Sequence, residues 1–358
     1  MKINAYAAAA AKKSLKPFAY EPAQLKSDEI EVQITHCGIC HSDVHMIDND
    51  WGNAQFPLVP GHEIVGTVRA VGFGVKRLRV GQRVGVGWQA SSCGECARCQ
   101  SSEETLCARN QGVIVGRHGG FADRVQVSAR FAIPIPDGLK SEVAAPLLCG
   151  GITVYTPLRA EKLQGKRVGV IGIGGLGHLA LQFAAAFGCE VTAFSASPDK
   201  EREALKFGAE EFACTKEKSF FEKYAGSQDI LLTTVTVDQD WNAWMGVLRP
   251  HGSLIVVGAS PGTLNISPFS LIMGYKSVKG SMIGSPRLIE EMLQFAARHK
   301  IGALVEKLPM AEAEEGIRRV RAGKARYRIV LENAPAASSK ASSAPKSVAA
   351  AKKKAKRK

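Results

Sequence analysis

Residues 166–188 read KRVGVIGIGGLGHLALQFAAAFG, and their reading decides the fold. An apolar run, Val168–Ile171, leads into glycines at 172, 174, 175 and 177, and a second apolar run rich in alanine continues to Gly188. Only His178 and Gln182 are polar between Val168 and Gly188, so the stretch has the length of a membrane span, about 20 residues. Four glycines in six positions suit a strand, a tight turn and a helix far better than a lone membrane helix. Glycine lets the turn be tight and lets the backbone approach a pyrophosphate, whose charge then sits on free N–H groups at the helix N-terminus. The expected contacts are Gly172, Gly174, Gly175, Leu176 and Gly177.

Working outward toward the C-terminus, EVTAFS, PDKEREALKFG, DILLTTVT, GSLIVVGA and SVKGSMIG alternate strand and helix patterns. Such alternation predicts βαβ units around a parallel sheet, an α/β architecture. About 20 residues after the glycines, a site for NAD places a carboxylate on the ribose hydroxyls. Here Ser195 occupies that place, followed by Ser197, Lys200 and Arg202. Hydroxyls and a cation suit a 2′-phosphate, which a carboxylate would repel, so the expected cofactor is NADP(H). After Pro286, RLIEEMLQFAARHK puts Leu288, Ile289, Met292, Leu293 and Ala296 on one helical face.

Toward the N-terminus the texture changes to short strands divided by Gly and Pro: EIEVQITHCG, HEIVGTVRAVG, RVGVG and GFADRVQVSARFAIPIP. These predict an antiparallel β-rich domain with its motifs on the connecting loops. A chain of 358 residues has room for two or three domains with real cores. The first 18 residues offer only a five-alanine run where a signal peptide needs about 7–15 apolar residues, so a cytoplasmic protein is expected. Eight of the fourteen net positive charges fall in residues 334–358, which leaves +6 for residues 1–333. That Lys/Ala/Ser-rich segment has no aromatic residue, and Val348 is its one large aliphatic, so a disordered basic tail is expected. Any nucleic-acid contact would run through that tail.

Nine cysteines without a secretory leader point to a reducing compartment and metal binding rather than to disulfides. Cys93, Cys96, Cys99 and Cys107 have the spacing C-x₂-C-x₂-C-x₇-C on a short polar loop, which satisfies a tetrahedral structural zinc with no open position. The pattern Cys37-Gly38-Ile39-Cys40-His41 matches c-type haem attachment on paper, but that chemistry requires export. Cys40, the pair His62-Glu63 and Cys149 offer another combination: two thiolates and an imidazole would leave a fourth zinc position open, as in catalytic sites, while single His and Cys residues so far apart in sequence are more often core or surface residues than ligands.

Taken together, GICHSDVH, VPGHEIVG, CGECARCQSSEETLC, APLLCGGITVY, GIGGLGHLALQFA and GSMIGSPRLIEEMLQF resemble the zinc-dependent medium-chain alcohol dehydrogenases, in their NADP-dependent cinnamyl-alcohol-dehydrogenase-like branch. The resemblance implies a GroES-like catalytic domain over 1–149, a Rossmann domain over 150–284 and a return to the catalytic domain over 285–333. It implies that Cys40, His62 and Cys149 bind the catalytic zinc, with Glu63 as an alternate ligand and Asp43 orienting the histidine. Ser42 matches the hydroxyl beside the substrate oxygen, and His45 the outer end of a proton relay. Trp51, Trp88 and Met282 fall where the branch places substrate-pocket side chains. The implied activity is zinc-dependent aldehyde reduction and primary alcohol oxidation, and the implied assembly is a homodimer joined at sheet edges. The tryptophan that plant members carry shortly after the last structural cysteine is missing from Ala108–Gly112, which favours broad aldehyde reduction over a phenylpropanoid speciality.

Overall fold

A computed structural model describes residues 1–259 and 262–334. The tail expected over 334–358 lies outside the described residues from 335 onward. In the N-terminal part, β1 (Ile3–Ala7) and β2 (Lys16–Tyr20) form an antiparallel ribbon ahead of β3 (Glu29–Ile39), β4 (Glu63–Val71) and β5 (Arg83–Val86). A short pair, β6 (Gln89–Ser91) and β7 (Gln111–Gly112), brackets the cysteine loop, and β8 (Arg124–Ser128) and β9 (Ala132–Pro134) come next. The central part carries β10 (Arg167–Ile171), β11 (Glu190–Ser195), β12 (Glu211–Cys214), β13 (Gln228–Thr233), β14 (Leu248–Val256) and β15 (Ser277–Gly280). Finally β16 (Val305–Pro309) and β17 (Arg328–Glu332) rejoin the N-terminal part.

Two large sheets result. One runs β16-β17-β3-β4-β5-β9 with β8 beside β3, and is antiparallel except for the β16/β17 pair. The other runs β12-β11-β10-β13-β14-β15 and is wholly parallel. Its strand order reverses between β10 and β13, so a crevice opens at their C-terminal ends, where the glycine turn sits. At the other end of this sheet β14 is internal and β15 forms the edge.

Packing follows the sequence pattern. Helix Pro286–His299 begins on Ser285, whose hydroxyl accepts from the Leu288 N–H at 3.3 Å, and Pro286 fills the first helical position. Its buried Ile289, Met292 and Leu293 contribute roughly 1.5–3 kcal/mol each through burial. They join one apolar cluster with Val168, Val170, Leu179 and Phe183 below the parallel sheet, and with Ile133 and Leu148 from the β-rich part. A shared core therefore seals the two halves behind the crevice. Helix Gly177–Ala186 has 10 residues, and among the described residues no helix is long and apolar enough to cross a membrane.

Candidate active site

Helix His41–Asp48 starts on Cys40, and Asp43 reaches back to accept from the Cys40 N–H at 2.9 Å. This cap satisfies a donor left free by the first turn and puts the Cys40 sulfur at the positive end of the helix. The other oxygen of fully buried Asp43 accepts from the Gly61 N–H at 2.8 Å and pairs with His62 Nδ1 at 2.9 Å. Burial opposes charge on His62, and Asp43 overcomes it, raising the imidazole well above its ordinary value. In the neutral ring the Nδ1 proton faces Asp43, which leaves the lone pair on Nε2, the nitrogen that faces Cys149.

Cys149 arrives from a π-helical turn, Leu147–Gly151, set between helices Ser141–Pro146 and Ile152–Ala160. Such turns place a side chain that a regular helix would aim elsewhere. Its Sγ lies 3.3 Å from His62 Nε2 and 4.0 Å from Cys40 Sγ. The contact with Cys149 holds the Cys40 thiol well below its ordinary value, and the same contact, with burial, pushes Cys149 up. The pair ionises once readily and resists a second loss, which a bound dication would reverse. Ligand atoms of Cys40, His62, Glu63 and Cys149 all lie within 4.8 Å of one another, a donor set that fits zinc.

Glu63 is fully buried, and burial pushes it up to about 7 although the Arg328 guanidinium pulls it down. One of its oxygens meets Arg328 in an ion pair, while Oε2 has no hydrogen-bond partner among the described residues. A Cβ on Gly38 would stand 2.0 Å from Oε2, so only glycine leaves the carboxylate its place. Arg328 comes from β17, and no sequence motif had singled it out.

The four clustered cysteines also converge, with Cys93 Sγ 3.7 Å from Cys99 and 3.5 Å from Cys107. Backbone N–H groups of Cys96 and Glu95 hold the Cys93 thiol down at about 6, ready to ligate. Arg130 ties the loop down, donating to the Cys99 carbonyl at 2.8 Å and to buried Glu104 at 3.0 Å.

At the crevice Gly172 adopts φ +88°, and a Cβ there would meet Val235 at 2.5 Å. A Cβ on Gly177 would lie 1.9 Å from the Gly172 carbonyl oxygen, whereas one on Gly174 would meet none of the described residues within 4 Å. The turn is thus closed by two glycines and left open at the third, the shape a pyrophosphate requires. A cleft of about 450 Å³ joins Gly172–Leu176 to Ser195, Ser197 and Lys200 at one end and to Cys40, Ser42, His45 and Cys149 at the other. Ser195 is itself buried and accepts from the Ser197 N–H at 3.1 Å, while Lys200 Nζ donates to the Ile173 carbonyl at 2.7 Å.

Trp88 stands edge-on to His62 at 5.0 Å, and Trp51 meets Trp88 at 6.0 Å. Met282 lines a groove of about 820 Å³ that shares Val257–Ala259 with the cleft. His45 Nδ1 is 2.8 Å from Asp50 Oδ2. Asp50, five residues along, went unnoticed in the sequence because a left-handed Asn49 (φ 58°) turns the chain back after the helix.

A family model described as "Alcohol dehydrogenase GroES-like domain" matches residues 26–137, and one described as "Zinc-binding dehydrogenase" matches residues 175–298. The chain is 44% identical over 332 residues to an aldehyde reductase of Synechocystis sp., covering 92% of this chain and 99% of that one. Among solved structures, a cinnamyl alcohol dehydrogenase of Sorghum bicolor superposes with a TM-score of 0.89 at 36% identity, covering 93% of this chain and 98% of that one. One from Helicobacter pylori, complexed with NADP(H), gives 0.86 at 30% identity with the same coverages. Two thiols that share one cleft with a glycine turn, an imidazole within 4.8 Å of both, and a separate four-cysteine cluster thus accompany full-length likeness, and the chain belongs to the zinc-dependent medium-chain alcohol dehydrogenases, in their cinnamyl-alcohol-dehydrogenase-like branch.

Proposed function

We propose that the protein interconverts aldehydes and primary alcohols with NADP(H), acting as a broad aldehyde reductase. The observation that carries this is the single cleft shared by Cys40, Cys149, the glycine turn and Ser195–Lys200. The names of the Synechocystis aldehyde reductase and of the NADP(H)-bound H. pylori enzyme support the same chemistry. Cys40, His62 and Cys149 would hold a zinc, which would supply Lewis acidity, and the cleft would hold a dinucleotide, which would supply the hydride. Asp43 keeps the Nδ1 proton on His62 and so fixes the orientation of Nε2. Ser42 Oγ gives its proton to the substrate oxygen, His45 stands at the outer end of the relay that replenishes it, and Asp50 holds the His45 ring. Trp51 and Trp88 wall the substrate side, which suits an aromatic or medium-length aliphatic aldehyde. Cys93, Cys96, Cys99 and Cys107 hold a second, structural zinc.

The test is NADPH oxidation with an aldehyde before and after a chelator, with zinc added back, and with NADH compared. Loss and recovery with zinc, and preference for NADPH, are expected; indifference to chelation overturns the metal reading, and preference for NADH overturns the role of Ser195, Ser197 and Lys200.

The two sheets support a division into 1–149, 150–284 and 285–333. A homodimer is supported by β15 at the sheet edge, beside Phe269, Ile272 and Met273, which are 71%, 65% and 79% exposed. Nine free cysteines support a reducing, cytoplasmic setting.

A further inference from the structure

His178 is completely buried, next to the last glycine of the turn, and no step of the chemistry above uses it. Its Nδ1 pairs with the Gly174 carbonyl at 3.0 Å, and its Nε2 accepts from the Leu304 N–H at 3.3 Å. One turn further along the same helix, Gln182 Nε2 donates to the Gly302 carbonyl at 3.0 Å and its Oε1 accepts from the Gly302 N–H at 3.2 Å. Two side chains of the nucleotide half thus hold the main chain that enters β16, on the metal-bearing half. The Leu304 carbonyl in turn accepts from the N–H groups of Tyr327 and Arg328, both at 3.1 Å. Tyr327 stacks on the His178 ring at 4.9 Å and 15°, and the Arg328 guanidinium reaches Glu63 beside the metal donors and lies against Gly175.

We propose that His178, with Gln182, is a positioning residue that locks the phosphate turn in register with the metal-bearing half and thereby sets the separation of dinucleotide and substrate; this rests on the dinucleotide reading above. The imidazole bridges a carbonyl of the turn and an N–H of the opposite half, so neither can shift without breaking a buried hydrogen bond. Gln182 repeats the connection one turn later, which fixes angle as well as distance. A residue that only filled space would show neither the paired donor and acceptor geometry nor the repeat.

Three variants of the full-length, zinc-loaded protein separate the parts. His178→Asn keeps a donor for Gly174 and drops the acceptor for Leu304, His178→Gln does the reverse, and Gln182→Ala releases Gly302. The readouts are calorimetric Kd for NADP+, kcat, aldehyde KM, and deuterium uptake at residues 302–305 without dinucleotide. Expected in His178→Asn and Gln182→Ala are faster uptake at 302–305, a Kd raised by about tenfold and a lowered kcat, with aldehyde KM within about twofold. Kd and kcat unchanged within about twofold, well below the melting temperature of the variants, overturn the proposal even if melting drops. Gln182→Ala, away from the glycine turn, keeps the test available if the His178 variants fail to fold. Wild-type protein that binds no NADP+ would instead overturn the reading of Gly172–Gly177, a result separate from the variant comparison.

Discussion

Asp43 holds three groups with one carboxylate, the Cys40 N–H, the Gly61 N–H and His62 Nδ1. Replacing it with Asn leaves the shape but removes the charge that settles the His62 proton, so Asp43→Asn should weaken zinc affinity by about 10–100-fold, measured by competition with a chelator. Asp50 acts at one remove, through His45. Asp50→Asn should lower kcat with zinc content unchanged, and should cost little more in a His45→Ala background, since the two act as a unit. At this scale the sequence was legible where donors cluster locally. Cys93 to Cys107 could be read from spacing alone, whereas Cys40, His62 and Cys149 needed the family resemblance. Arg328 was invisible: it meets Glu63 across 265 residues, a pairing that only the return of β17 beside β3 creates.

The turn between β10 and helix Gly177–Ala186 was legible because strand, glycines and helix are contiguous. Its geometry makes Gly177→Ala severe, since the new methyl would sit 1.9 Å from the Gly172 oxygen. Calorimetry should show NADP+ binding weakened by at least about tenfold, with a lowered melting temperature. Strand β16 was not legible, because VEKLP is short and largely half-exposed, with no alternation to mark it. His178 carries a further consequence, since burial, its largest influence, holds the imidazole down at about 3, with the Gly174 carbonyl pulling the other way. Between about pH 6.5 and that value the unfolded chain binds a proton that the folded one refuses, so stability falls on acidification by up to ~1.4 kcal/mol per pH unit. Denaturant titrations from pH 7 to 4.5 should therefore show a shallower acid slope for His178→Asn than for the wild type, whatever the offset between them.

For the molecule as a whole, two donor clusters predict about two zinc ions per chain by metal analysis, and one ion would require abandoning a cluster. The change of texture near residue 150 was legible, but the packing across it was not: Leu148 and Ile133 on one side and Leu179 and Phe183 on the other belong to one cluster, which no local pattern announces. His178 and Gln182 illustrate the same point. They are the two polar residues of an apolar run that has the length of a membrane span, and their partners at Gly302 and Leu304 lie 120 and 126 residues away. Removing residues 335–358 should leave kcat and KM almost unchanged, a direct comparison of full-length and shortened protein.

The π-helical turn at Leu147–Gly151 makes chain length at that point a matter of rotation. Deleting one residue there would restore the α-helical count between helices Ser141–Pro146 and Ile152–Ala160, turning the downstream chain by about 100° relative to the upstream chain. Cys149 would swing away from His62, and helix Ile152–Ala160 with the parallel sheet behind it would leave its seat on the shared core. A conservative change of side chain at these positions is a local matter; a change of one in their number re-aims half the molecule.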